Sequence, residues 1–411
     1  MFEIAAVCLV VTALLAYLNH RYIGLPTTIG VMAGALALSL LLIALDAVGI
    51  AQFLRDYEVS LLHAIDFSDV LMQGMLSLLL FAGALHVDLS ELRAYKWQIA
   101  CLAVLGTLAS MFVVGGLLWL LLPLTGLHLS LLGCLLFGAL ISPTDPIAVM
   151  GLVRSAGAPK NLELVIAGES LFNDGVGVVL FVLTAGIAAG GAGPGFDRAA
   201  QLLLREVGGG IVLGLALGYA TFRLLRSIDH YQVEVMLTLA AVLGGYALAA
   251  RLHVSGPLAM VVAGLVVGNH GRALAMSDTT RHHVDLFWEL LDEILNAVLF
   301  VLIGMEVIVI RFADGIGAAA LVAVVATLGA RWLTVGVPVG LWHSVFRLPQ
   351  GAGRVLTWGG LRGGISVALA LSLPAGEVRD SIVALTYCVV VVSILGQGLT
   401  IGRVVRRSIR A

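Results

Sequence analysis

Runs of roughly twenty apolar residues recur along the 411-residue chain, and they decide its fold class before any motif is considered. A run of that length crosses the ~30 Å hydrocarbon core of a bilayer as a helix. Thirteen candidate spans meet the criterion, at roughly 2–18, 25–45, 70–86, 97–122, 128–153, 162–189, 201–226, 233–250, 254–268, 286–310, 316–346, 354–374 and 381–404. Charged residues make up only 12% of the chain, about half the share of a soluble domain, so a water-soluble globule is excluded. Backbone polar groups in lipid must be satisfied internally, which leaves a helix bundle or a closed barrel. Barrel strands would be short and alternating, so the long runs select helices. The expected fold is an all-α polytopic membrane protein.

Residues 1–18 lack a basic leading segment and a small-residue cleavage site, which makes them a retained span rather than a signal peptide. The stretch 46–69, with Asp46, Arg55, Asp56, Glu58, Asp66 and Asp69, reads as a polar connection with an interfacial helix. Gly190-Gly191-Ala192-Gly193-Pro194-Gly195 reads as a flexible loop. The ninth span is short and interrupted by Pro257. Cys8, Cys101, Cys134 and Cys388 all fall in apolar segments, so no disulfide framework is expected. The net charge of -2, without a basic cluster, gives no sign of a nucleic-acid partner. No soluble domain is expected at either end.

Lys and Arg set the orientation. With the C-terminus cytoplasmic, fifteen of them face inside and six outside, which favours N-terminus out and C-terminus in at the cell membrane. An odd span count agrees. Thirteen spans divide as six (about 2–189), a linker span (about 201–226) and six (about 233–404), the second six entering from the opposite side. That is an inverted repeat, in which the substrate site sits near the midplane on interrupted helices. Pro143 and Pro146 break span five around Thr144-Asp145, and Gly359-Gly360-Leu361-Arg362-Gly363-Gly364 breaks span twelve, the fifth of its own half.

A charge at the bilayer centre costs at least ~2.5 kcal/mol, so intramembrane carboxylates mark function by default. Asp145 in span five and Glu169 and Asp174 in span six are such residues. The two prolines free carbonyl oxygens in mid-span. Those carbonyls, the Thr144 hydroxyl and the Asp145 carboxylate are hard donors suited to a small cation. In span six, Glu169 and Asn173 are four apart, as are Ser170 and Asp174, so carboxylates, an amide and a hydroxyl share one side of the helix. Asn or Ser would join helices without ionisation cost, so Asp145 and Asp174 are read as ion ligands rather than as interhelical glue. Burial favours the neutral form of a carboxyl group, which lets a proton and a cation compete for one site.

Arg331 in span eleven and Arg362 at the break in span twelve need partners. Glu169 is the carboxylate to pair with Arg331, leaving Asp145 and Asp174 for ions. Arg362 has a carboxylate or the carbonyls of its own break available. Glu306 is placed near the outer end of span ten, reaching the headgroups, while Glu289, Asp292 and Glu293 read as a solvated helix start with a funnel role as the alternative.

At these residues the chain resembles the sodium/proton exchanger family of NhaP and NHE type, within the monovalent cation:proton antiporters. The resemblance covers nearly the whole chain and rests on Thr144-Asp145-Pro146, on Gly168-Glu169-Ser170 with Asn173-Asp174, on Arg331, and on Gly360-Leu361-Arg362-Gly363. It implies a homodimer in which a core domain, with crossed broken helices five and twelve and with spans six and eleven, moves against a dimerisation domain. It implies that Asp174 binds cation or proton, with Thr144, Asp145 and Ser170 completing the site. Asn173 before that aspartate implies electroneutral one-for-one exchange; two consecutive aspartates accompany electrogenic exchange. Some relatives carry Phe-Glu-Gly-Ala in span three where this chain has Phe81-Ala82-Gly83-Ala84.

The expected function is secondary active exchange of Na⁺, with K⁺ or Li⁺ as options, for H⁺, with no cofactor and no enzymatic activity. A cation channel is the second transport reading. An intramembrane aspartyl protease is the non-transport one, since Asp145 and Asp174 lie in successive spans. The Tyr-Asp and Gly-x-Gly-Asp pairing that such proteases resemble is absent around these aspartates.

Overall fold

The computed structural model describes residues 2–47, 74–189, 204–308 and 315–409. The Gly190–Gly195 loop and most of the 46–69 connection lie outside them. Among the described residues every regular element is helical, and the longer helices form thirteen successive segments, with short helices at Leu89–Arg93 and His343–Phe346 between them. These are α1 (2–23), α2 (Thr27–Ala47), α3 (Leu76–Leu85), α4 (Lys96–Thr125), the half-helices α5a (Leu131–Ile141) and α5b (Ile147–Ser155), α6 (Lys160–Ala189), and α7 (Leu204–Leu225). Then follow α8 (Tyr231–Leu252), α9 (Gly256–Gly271), α10 (Asp278–Met305), α11 (Ile316–Leu341), the half-helices α12a (Ala352–Trp358) and α12b (Gly364–Leu371), and α13 (Glu377–Ile409). Pro257 opens α9 rather than interrupting it, since a proline in the first turn has no intrahelical N–H to lose.

Lipid offers helices no hydrophobic reason to associate, so close packing of small residues does that work. Buried apolar side chains fall into two clusters. One joins α2, α4, α5a, α5b, α6, the second half of α10, α11, α12a, α12b and α13. The other joins α3, α8, α9 and the first half of α10. Trp288 anchors the latter: it is fully buried, lies 4.8 Å from the Phe81 ring, and donates its indole N–H to Thr238 Oγ1 at 3.0 Å. Leu171 of α6 belongs to this second cluster and its neighbour Phe172 touches both, so the polar face of α6 lies where the clusters meet. Gly177 permits the approach of α6 to the break in α5, because a Cβ there would overlap the Pro143 ring.

Candidate ion-binding site

The interruptions in α5 and α12 lie against each other. Between Ile141 and Ile147, Pro143 and Pro146 lack the N–H groups a continuous helix needs, and the chain runs non-helical through Thr144 and Asp145. In α12 the glycine-rich stretch from 359 to 363 does the same. Each break satisfies backbone groups of the other: Asp145 N–H donates to Leu361 O at 2.8 Å, and the Arg362 guanidinium donates to Ser142 O and to Pro143 O, the latter at 2.9 Å. Arg362 is 2% exposed and brings a cation to the C-terminal end of α5a, where the helix dipole is negative. Among the described residues its guanidinium hydrogen bonds go to carbonyls of the opposite break, neither to a carboxylate nor to its own break. Its own N–H is held by Ser393 Oγ at 3.0 Å; Ser393 in turn donates to Gln397, whose amide reaches Trp358 O.

Asn173 locks α6 onto the break in α5. Its Oδ1 accepts from Thr144 N–H at 3.2 Å and its Nδ2 donates to Thr144 Oγ1 at 2.9 Å. The Thr144 hydroxyl also contacts Ser170 Oγ at 3.0 Å. Thr144, Ser170 and Asn173 are all buried, and Asp174 is 7% exposed. Asp145 and Asp174, with Thr144, line one cavity of about 500 Å³. Gly363 and Gly364 line it from α12, and a Cβ at Gly363 would overlap the Asp145 carboxylate.

Glu169 is not among the residues that line the cavity. It is 1% exposed and takes both prongs of the Arg331 guanidinium, one oxygen with Nη1 and the other with Nη2 at 3.0 Å. Arg331 also donates from Nε and Nη2 to Leu356 O, at 3.3 and 3.2 Å, which attaches α12a to the same pair.

Two placements differ from sequence reasoning. Glu306 is 7% exposed and buried rather than extended to headgroups. Asp292 is half-buried rather than solvated, whereas Glu289 and Glu293 are exposed as a solvated helix start requires; all three line the cavity that Asp174 lines, the arrangement of the funnel alternative. Asn296, Ser393 and Gln397 were not singled out by sequence; a polar residue within an apolar helix was the available signal for each. Ala82 is buried among apolar side chains and is not among the cavity-lining residues.

A family model described as "Sodium/hydrogen exchanger, transmembrane" matches residues 10–407. The chain belongs to the sodium/hydrogen exchanger family. This exchanger is 56% identical over 412 residues to the Na⁺/H⁺ antiporter NhaP of Pseudomonas aeruginosa, covering 99% of this chain and 97% of that one. It is 35% identical over 362 residues to the Na⁺/H⁺ antiporter NhaH of Halobacillus dabanensis, covering 86% and 87%. The exchanger's fold is similar to that of the sodium proton antiporter MjNhaP1 of Methanocaldococcus jannaschii, with a TM-score of 0.76 at 18% identity over 99% of this chain and 98% of that one. The exchanger is therefore a multi-pass membrane transporter and not an enzyme, and the aspartyl protease reading falls away.

Proposed function

We propose that this cation/proton antiporter carries Na⁺ in exchange for H⁺, one for one, with the two ions competing for Asp174. The observation that carries the reading is the position of Asp174: almost fully buried, yet lining a cavity beside Asp145 and Thr144 at the break in α5. A buried carboxylate is stable either as a neutral acid or beside a cation, and poor as a bare anion. Protonation and cation binding thus become alternatives at one residue, and the empty, ionised carrier is the costly state that does not cross. The oxygens of Asp145, Thr144 and Ser170 complete a hard-donor set for a small monovalent cation.

Asn173 supports the one-for-one ratio. It occupies the place beside Asp174 with a neutral amide already committed to Thr144, so a single carboxylate in this pair changes its charge during the cycle. Glu169 with Arg331, and Arg362 with the α5 carbonyls, support the frame rather than the ion. In this reading α5, α6, α11 and α12 belong to a moving core, the second cluster contributes to a dimerisation domain in a homodimer, and the cavity opens to the cytoplasm with the C-terminus. The fifteen-to-six Lys and Arg asymmetry supports that orientation. Among monovalent cations Na⁺ is placed ahead of K⁺ and Li⁺ because the relatives named above are Na⁺/H⁺ antiporters.

Proteoliposomes with an imposed pH gradient test it. Addition of Na⁺ should dissipate the gradient, at an initial rate that valinomycin and K⁺ leave unchanged, in parallel series with Li⁺ and with K⁺. A rate strongly altered by clamping the membrane potential would exclude one-for-one exchange, and no dissipation by any of the three ions would exclude the exchange itself.

A further inference from the structure

We infer that Asp292 and Asn296 of α10 form an antechamber for the cation, a pair of oxygen ligands that receives the ion from bulk water and passes it to Asp174. The inference rests on the exchange reading above. The two residues are one turn apart and line the same cavity as Asp145 and Asp174. Asp292 Oδ1 is shielded from solvent and accepts no hydrogen bond. Asn296 is 2% exposed; its amide donates to the Asp292 main-chain oxygen at 2.8 Å, and its carbonyl oxygen accepts no hydrogen bond among the described residues. One shielded carboxylate oxygen, Asp292 Oδ1, is thus left without a donor, with the Asn296 side chain one turn away, at one level of a passage whose inner wall holds the exchanging carboxylate. Buried acceptors ordinarily have donors. A water molecule would satisfy this oxygen, but the field of Asp145, Asp174 and Asp292 together selects a positive ion.

The inference also assigns a side. Four residues before Asp292, Trp288 fixes α10 to Phe81 and Thr238 in the second cluster. Asp145 and Asp174 belong to helices packed in the first. Asp292 sits where α10 passes from the second cluster to the first, since Leu291 packs in the one and Leu295 and Ala297 in the other. The exposed residues Glu289 and Glu293 line the cavity on the Asp292 side, so Asp292 meets an ion that enters past them and serves it from the face onto which the cavity opens. Glu289 and Glu293, more exposed on the same helix, attract cations toward it without contacting the dehydrated ion.

Exchange measured separately from each face in sided proteoliposomes tests this, with Na⁺ as the ion. Asp292→Asn is expected to raise KM for Na⁺ on the cavity face by about fivefold or more, to lower kcat by less, and to leave KM on the opposite face within about twofold of wild type. Asp292→Glu should recover most of the affinity. Asn296→Ala, which removes one ligand without changing charge, should give a smaller rise on the same face, and it carries the test if Asp292→Asn is not recovered folded. A KM on the cavity face within twofold of wild type for both variants, or an equal rise on both faces, overturns the inference. Asp174→Asn in the same assay separates the two claims: exchange by wild type that this variant abolishes leaves the exchange reading standing whatever Asp292 does, whereas no exchange by wild type removes both.

Discussion

Arg331 and Glu169 meet as a two-pronged ion pair inside the membrane, and Glu169 is the residue immediately before Ser170 of the proposed ion site. The pair ties the polar face of α6 to α11, and through Leu356 O to α12a. It holds two otherwise costly charges in one place and fixes the height of Ser170, Asn173 and Asp174 relative to both broken helices.

Removing one partner should therefore cost more than removing both. Arg331→Ala leaves an unpaired buried carboxylate, with an expected loss of about 3–5 kcal/mol, while replacing both residues with leucine should recover most of it. Thermal unfolding in detergent provides the comparison. Equal Tm values for the single and the double variant would show that the pair does not act as a unit.

Close approach at the breaks makes a second expectation. Gly177→Ala places a methyl group into the Pro143 ring, and Gly363→Ala places one into the Asp145 carboxylate. Each should cost about 1–3 kcal/mol by overpacking. Gly363→Ala should also weaken cation affinity, because it displaces a cavity-lining carboxylate, whereas Gly116→Ala, with open space around it, should behave as wild type in both melting and transport.

Asn173→Asp adds a carboxyl group and removes the N–H that donates to Thr144 Oγ1. Exchange by this variant, where it persists, should become sensitive to membrane potential. Currents on a supported membrane would report it: none in the wild type, and a Na⁺-dependent current in the variant. A silent variant with measurable exchange would mean that Asn173 does not set the charge moved per cycle.

The proposed competition at Asp174 fixes the sign of the pH dependence. As pH falls, more of the carboxyl group is protonated, so the apparent KM for Na⁺ should rise, up to about tenfold per pH unit where the proton is the dominant occupant. The maximal rate at saturating Na⁺ should change less. An apparent KM independent of pH across the active range would place cation and proton on separate groups.

Much of this was legible in sequence because lipid penalises polarity so heavily. Thirteen apolar runs could only be helices, and Pro143, Pro146 and the 359–364 glycine stretch could only be interruptions. Asp145, Glu169, Asp174, Arg331 and Arg362 stood out because an ion in mid-span is costly. What the sequence left open was geometry between distant segments. Arg362 had several conceivable partners, and contact between the two breaks selected carbonyls more than two hundred positions away. Glu289 and Glu293 are the exposed helix start that the charge pattern indicates, but the half-burial of Asp292 and the cavity it shares with Asp174 depend on where α10 lies relative to α5 and α6, which no local pattern encodes. Glu306 was misplaced because a charge near a span's end looks exposed until its neighbours are in place.

Asp174 is the residue on which all of this depends, and substituting it in a proton-flux assay is the most direct test. In proteoliposomes carrying an imposed pH gradient, wild type should dissipate the gradient on addition of Na⁺, and Asp174→Ala, recovered folded and in equal amount, should leave it intact. Equal dissipation by the two proteins would contradict the assignment of cation and proton to this carboxylate.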